Sequence, residues 1–191
     1  HLRPWFIYNH NRHNEFNLNL GLIRAAYSSS RVRANFSLAA GTYMNANYAT
    51  EPGVLKNIFE ANAGYKVSRT HSLWVDAGIL PSHLGFESAV SKDCRALTRS
   101  LAAESSPYYE SGIKLTYVTP KGSWLLSAMM LNGWQHIQRP AGNNTPAFGT
   151  QISYTPSPSL TLNYSTFFGS DQPDTVRKYR FFQDLYALVG I

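Results

Sequence analysis

Apolar and polar residues alternate with a period of two along most of the chain. The alternation is clearest in RVRANFSLAAG, residues 31–41. Side chains of a β-strand point alternately to opposite faces of its sheet, so this stretch predicts a strand with one apolar and one polar face. FNLNLGL, residues 16–22, repeats the pattern with leucines on one face and asparagines on the other. We expect its leucine face to contact an apolar environment and its asparagine face to contact water.

Ten segments are candidate strands. Two of them, 123–134 and 179–190, are apolar on both faces and are assigned as strands by their length and neighbours. The ten candidates are residues 2–8, 15–27, 31–41, 59–67, 73–79, 112–117, 123–134, 148–154, 160–168 and 179–190. No long stretch has a helical pattern, so the sequence predicts an all-β fold.

The connections between these candidates alternate in length. Short turns are predicted at 28–30, 68–72, 119–122 and 155–159, and longer links at 9–14, 49–56, 81–108, 135–145 and 170–178. This alternation predicts an antiparallel up-and-down order, as in outer-membrane β-barrels with short periplasmic turns and longer outer loops. A Greek-key sandwich has no reason to sort its loops in this way. The leucines of residues 16–22 are then expected to face lipid and the asparagines a watery lumen.

Composition agrees with a membrane barrel. Only 15% of the residues are charged, against about 25% in an average soluble domain, and 43% are hydrophobic. The 17 Lys and Arg residues exceed the 11 Asp and Glu residues, which inclines a charge-selective lumen toward anions. The single cysteine, Cys94, gives no disulfide framework. We predict one β-barrel domain over residues 1–191, which ends in mid-strand at ALVGI and is expected to form part of a larger barrel.

Three stretches carry a family resemblance. They are RPWFIYNHNRHNEFNLNLG, LWVDAGILPSHLGFESAVSKDCRALTRSLAAESSPYYESGIKLTY and LNGWQHIQRP. Together and in this order they resemble the OmpL-like β-barrel porins of Bacteroidetes and related Gram-negative bacteria. The resemblance implies an outer-membrane barrel with a porin-like role and brings no catalytic residues. Members of that family are longer than this chain, which again implies a larger barrel.

The polar positions of the predicted strands supply candidate pore-lining residues. Two arrangements stay open for the charges among them: a transverse field across an open pore, or mutual salt bridges that fill a narrow barrel. The candidates are Arg31, Arg33, Asn35, Glu60, Asn62, Lys66, Asp76 and Lys114.

The link 81–108 is too long for a passive connection. Apolar residues recur in it at helical spacing from Val90 to Leu101, while Lys92, Arg95 and Arg99 lie on another face. In one interpretation the link folds into the lumen as a constriction whose cations select anions. In the other it is an external cap whose cations meet lipopolysaccharide phosphates or water.

Sequence motifs for other chemistry are missing. The chain has no G-x-S-x-G elbow and no Gly-rich phosphate loop, and the histidines of HNRH lack nearby metal-ligand partners. We therefore expect no enzyme activity, no cofactor, no metal site and no nucleic-acid partner.

The sequence thus predicts a porin-like channel for passive diffusion of small polar or anionic solutes in a Gram-negative outer membrane, in contact with lipid and lipopolysaccharide. The first alternative is a non-conducting accessory barrel whose long loops dock a protein partner or a second copy. The second is a soluble β-sandwich binding module, against which the low charge content and the sorted loops argue.

Overall fold

The structure, a computed structural model, describes residues 2–190. The two terminal residues of the predicted domain, His1 and Ile191, lie outside this range. Within it the chain forms one sheet of nine strands, each antiparallel to its neighbours in sequence. The strands are β1 Gly21–Ser28, β2 Val32–Ala40, β3 Ile58–Lys66, β4 Ser72–Pro81, β5 Tyr109–Val118, β6 Trp124–Leu131, β7 Ala147–Ser157, β8 Leu160–Gly169 and β9 Arg180–Val189.

Strand register brings residues of like polarity onto the same face. Arg33 of β2 lies opposite Gly64 of β3, and Asn35 lies opposite Asn62. Because this register holds over most of the sheet, with shifts only between Ser37 and Leu38 and between Tyr154 and Ser157, the sheet has a polar face that contains Arg33 and Asn35 and an apolar face that contains Phe36. The apolar face leaves large side chains exposed, among them Ile23 (81%), Phe148 (50%) and Leu162 (42%).

The predicted order of short and long connections is confirmed. Short turns follow β1, β3, β5 and β7, and longer links follow β2, β4, β6 and β8. The longer links contain two short helices, α1 Thr42–Asn47 and α2 Leu101–Glu104. Among residues 2–190, no helix has the length and apolar character needed to cross a membrane.

The first candidate strand, residues 2–8, is wrong, so the described chain has nine strands instead of about ten. Residue Leu2 makes only an isolated bridge to Arg12, and the Arg3 amide donates to the Asn11 carbonyl at 2.7 Å. Pro4 has no N–H for a strand ladder. His10 and Asn14 have left-handed backbone angles, with φ of 51° and 58°, which turn the chain back on itself.

The expectation for FNLNLGL is also wrong. Strand β1 begins only at Gly21, because the carbonyls of Leu18 and Asn19 accept hydrogen bonds from amides at the start of α1. Leu20 and Leu22 pack against a buried cluster that includes Ala39 and Tyr43. Leu22 pairs with Ala39 and belongs to the polar face of the sheet, which here is covered by the links. Leu20 and Leu22 therefore contact protein instead of lipid, whereas Leu18 remains exposed.

Two buried apolar clusters lie where the long links meet the sheet. The first joins α1, strand residues and the links, and contains Ala39, Tyr43, Met44, Tyr48, Ile79, Ala89, Tyr109 and Ile137. The second contains Leu84, Met129, Leu131, Ala147 and Phe167. No ladder joins β1 to β9 within residues 2–190, so the described sheet is open.

Candidate functional site

Two arginine ion pairs occupy the polar face at β1–β4. Arg33 on β2 reaches across β3 to Asp76 on β4 and donates to both carboxylate oxygens, at 2.6 and 2.5 Å. Arg24 on β1 lies 3.4 Å from the carboxylate of Glu60 on β3. Both carboxylates are buried. Of the two arrangements left open by the sequence, mutual pairing is the one that these four residues adopt.

The Arg33–Asp76 pair requires that the strand between its two partners have no side chain at the point where they meet. Gly64 of β3 lies between them, and a Cβ at that position would stand 2.1 Å from Asp76 Oδ1 and 3.0 Å from Arg33 Cγ. The Arg33 guanidinium also stacks over the Trp74 ring, 4.3 Å from its centroid. Glycine at residue 64 therefore lets the two charged groups meet above the sheet.

Amide side chains and two lysines extend this polar surface. Asn62 donates to Glu60 at 3.0 Å, and Asn35 donates to Asn62 at 3.3 Å. Lys114 of β5 lies opposite Asp76 in register, and Lys66 ends β3. The polar face thus carries cations besides the two paired arginines.

Seven of the eight candidate pore-lining residues share the polar face. Arg31 lies apart from them, in the turn before β2, with its guanidinium 4.8 Å from the centroid of the Tyr65 ring. The seven are Arg33, Asn35, Glu60, Asn62, Lys66, Asp76 and Lys114.

The beginning of the long link crosses the polar face of β5–β9. We call residues 82–86 the strap. His83 holds it at two strands, because its Nδ1 lies 2.7 Å from Glu110 Oε2 on β5 and its Nε2 lies 2.8 Å from the Thr166 carbonyl on β8. The Ser165 hydroxyl donates to the His83 carbonyl at 2.9 Å. His83 is 4% exposed, so this link between strands is shielded from solvent.

Further strap residues anchor it to β6, β7 and β9. Leu84 packs into the second apolar cluster, which includes Met129 and Phe167. The Gly85 amide donates to the Asp184 carboxylate at 2.7 Å, and the Phe86 ring lies 5.3 Å from that of Tyr186. The strap is therefore fixed by the hydrogen bond between His83 and Glu110, by backbone hydrogen bonds and by apolar packing together.

The rest of the link does not form the helix that its spacing from Val90 to Leu101 suggested. Arg99 is buried and donates to the carbonyls of Ser88, Ala96 and Leu97 at 2.6 to 3.1 Å. A side chain that takes up these carbonyls competes with a helical hydrogen-bond ladder. Only a short 3-10 turn, Ser91–Asp93, and α2 are helical. Lys92 and Arg95 are exposed, and Arg99 holds the link together.

A cavity of about 550 Å³ separates part of the link from β1 and β3. Leu22, Arg24 and Phe59 line the sheet side, and Lys92 lies on the link side. The polar face is thus covered at β5–β9 by the strap and has open space beside Arg24. Among residues 2–190, no cluster of three or more His, Cys, Asp or Glu side chains could hold a metal ion.

Sequence reasoning missed four of these residues. Arg24 and Trp74 lie at alternating positions in β1 and β4, so extending the alternation strictly would have placed them with Arg33 and Asp76. Glu110 precedes the segment 112–117 by two residues and shares its alternation. His83 has no such signal, because its position depends on the path of a link between strands.

Replacing Asp76 with alanine measures how much the Arg33–Asp76 ion pair contributes to the stability of the folded protein. We expect the free energy of unfolding to fall by about 2 kcal/mol, less than for a fully buried pair because Arg33 is partly solvated. Urea titration of the folded protein in detergent measures it. Arg177→Ala breaks an exposed pair with Asp174 and should leave the midpoint unchanged. Equal stability of the wild type and Asp76→Ala would contradict the prediction.

Comparison with known proteins gives one match. A model of the family described as "Putative beta-barrel porin-2, OmpL-like" matches residues 3–189. Neither the curated proteins nor the solved structures contain a match to the chain. All nine described strands and the strap lie inside the matched range.

Proposed function

The chain belongs to this family of OmpL-like β-barrel porins, and on that premise we propose that it forms a channel in the outer membrane of a Gram-negative bacterium. The channel serves passive diffusion of small polar or anionic solutes. The observation that carries the proposal is the division of the sheet into two faces. Charged and amide side chains share one face, and exposed apolar side chains such as Phe148 and Leu162 occupy the other.

The two faces suit lipid and water respectively. Barrel strands in an outer membrane turn apolar side chains to lipid and polar side chains to the lumen. The polar face would then line the pore, and the strap would narrow it by covering β5–β9. Backbone groups of an open edge find no partners in hydrocarbon, so β1 and β9 must be paired in the membrane-inserted protein.

Cations on the polar face support the preference for anions. The arginines are matched by carboxylates, whereas Lys66 and Lys114 stand outside those pairs. Lys92 and Arg95 on the exposed part of the link would meet incoming anions or lipopolysaccharide phosphates. In this proposal Arg99 shapes the link, and its own charge has little contact with solutes.

Single-channel conductance of the full-length protein in a planar bilayer tests the proposal. We expect discrete steps and a reversal potential in a salt gradient that shows anion preference. Lys66→Gln and Lys114→Gln together should reduce the anion-to-cation permeability ratio a few-fold. Lys121→Gln, in the short turn after β5, should leave it unchanged. If the permeability ratio of the double variant equals that of the wild type, Lys66 and Lys114 have no role in the selectivity.

A second candidate function is a non-conducting accessory barrel that docks a protein partner through its long links. The strap favours it, because its contacts from β5 to β9 already cover much of the polar face. Folded protein, recognised by heat-modifiable mobility on gels, that never conducts would support this candidate over the channel.

A further inference from the structure

The imidazole of His83 lies between two hydrogen-bond acceptors. Its Nδ1 faces the Glu110 carboxylate at 2.7 Å, and its Nε2 faces the Thr166 backbone carbonyl at 2.8 Å. Neither partner can donate: a carbonyl never does, and an ionised carboxylate does not. Both hydrogen bonds form together only when both ring nitrogens carry protons. With Glu110 ionised, the observed geometry therefore requires the imidazolium form of His83.

From this arrangement we propose that the strap is a proton-controlled latch across the polar face, closed while His83 is charged and released when His83 loses a proton. Loss of either ring proton places a nitrogen lone pair against a carbonyl or carboxylate oxygen less than 3 Å away. That contact turns from attraction into repulsion. As regulation of the pore, the latch rests on the proposed channel function.

The groups that face His83 define its electrostatic surroundings. Strand β5 contributes Glu110 and, further along the same face, the cation of Lys114. Strand β9 contributes Asp184, which holds the neighbouring Gly85 amide. Strands β7 and β8 present uncharged groups there, namely Gly149, Gln151, Asn163, Ser165 and the Thr166 carbonyl. Glu110 is therefore the charge that directly stabilises the imidazolium.

The direction of the pH dependence follows from these contacts. Burial by itself lowers the pKa of His83, but the hydrogen bond and charge of Glu110 outweigh it, so the pKa is raised above the ordinary value of 6.5. A raised pKa in the closed state means that the latch contributes its full stability below pH 6.5. That contribution is lost as the pH rises through the pKa of the closed state. The latch should thus close in acid and open in alkali.

Leu84 offers a direct report on the latch. It is 5% exposed and packs in the second apolar cluster, so a cysteine there should react with a maleimide only when the strap lifts. The test uses the full-length protein in lipid vesicles, with Leu84→Cys in a Cys94→Ser background. Leu97→Cys, at a position where the leucine is 60% exposed, corrects for the pH dependence of the thiol itself.

The corrected labelling rate should rise several-fold from about pH 5 to about pH 9, because the raised pKa of His83 stabilises the closed strap only in acid. Glu110→Gln tests the need for the imidazolium directly. A glutamine amide can donate to Nδ1 of a neutral His83 while Nε2–H still donates to the Thr166 carbonyl. This variant should keep labelling slow across the whole range. His83→Phe should make labelling fast throughout, and heat-modifiable mobility confirms that each variant is folded.

Labelling and conductance separate the latch from the channel. A labelling rate of folded wild type that does not change with pH overturns the latch, whatever the conductance. So does a pH response that persists unchanged in Glu110→Gln. If labelling follows pH as expected while no pH gives conductance, the latch stands and the channel proposal fails. If both hold, conductance of the wild type should increase over the same pH range as labelling.

Discussion

Replacement of Phe167 by alanine should lower the free energy of unfolding by about 4 kcal/mol, within the range for large buried aromatic side chains. The Phe167 side chain is fully buried on the polar face of β8. Its ring packs edge-on against Trp134, with the centroids 4.9 Å apart, and belongs to the cluster that receives Leu84 of the strap. Alanine would leave a cavity between sheet and strap that the surrounding strands cannot close.

The next residue supplies the matched control. Phe168 is on the apolar face, 45% exposed, and stacks on Tyr179 with the ring centroids 5.1 Å apart. Phe168→Ala removes the same atoms, but lipid fills the space, so we expect a loss below about 1.5 kcal/mol. Urea unfolding in lipid vesicles, followed by tryptophan fluorescence, compares the two. A larger loss for Phe168→Ala would mean that the two faces are assigned the wrong way round.

Strands whose two faces meet different surroundings could be predicted from the sequence. In β2, β7 and β8 polar residues such as Asn35, Gln151 and Asn163 alternate with apolar ones, and the structure keeps that alternation. The alternation of short and long connections was sufficient to give the up-and-down order. Both signals are local, and both come from the period-two geometry of a strand.

Strand β6 lacks the alternation of polar and apolar residues. Met129 and Leu131 lie on the polar face but are buried under Leu84 of the strap. A link that covers part of the polar face makes that part apolar, so WLLSAMML is apolar on both faces. The pattern became ambiguous because of a contact between residues more than 40 positions apart, which no local period can show.

The errors at the N-terminal side have the same origin. FNLNLGL alternates like a strand, but Leu18 and Asn19 bond to the start of α1 and Leu22 packs into a buried cluster. Tertiary contacts overrode the local preference there. His83 is the extreme case: a lone histidine in a link gave no sign of a site, and only the meeting of Glu110 and Thr166 around it indicates one.

Gly149→Val should open the latch without changing either of its hydrogen-bonding partners. A Cβ at residue 149 would stand 2.7 Å from both Cε1 and Nε2 of His83, so the ring must move out of its place between Glu110 and Thr166. We expect the labelling rate of Leu84→Cys in acid to rise about ten-fold and to lose most of its pH dependence. Overpacking of this kind costs about 1–3 kcal/mol, and a ten-fold change in the open population corresponds to about 1.4 kcal/mol. Conductance in acid should rise with it.

The sheet itself should tolerate this change, because valine is a better strand former than glycine. Thr150→Val is the control: Thr150 is the next residue of β7, and its hydroxyl bonds Thr166 on the apolar face, 2.7 Å away. Thr150→Val perturbs the same pair of strands but adds no atoms next to the His83 ring. Labelling of Leu84→Cys in this variant should therefore follow pH as in the wild type. Slow labelling of folded Gly149→Val in acid would show that the imidazole does not need the room that glycine leaves. If that variant had also lost its pH dependence, the strap's other anchors, among them Leu84, Gly85 and the Ser165 bond to the His83 carbonyl, would be sufficient to hold it closed.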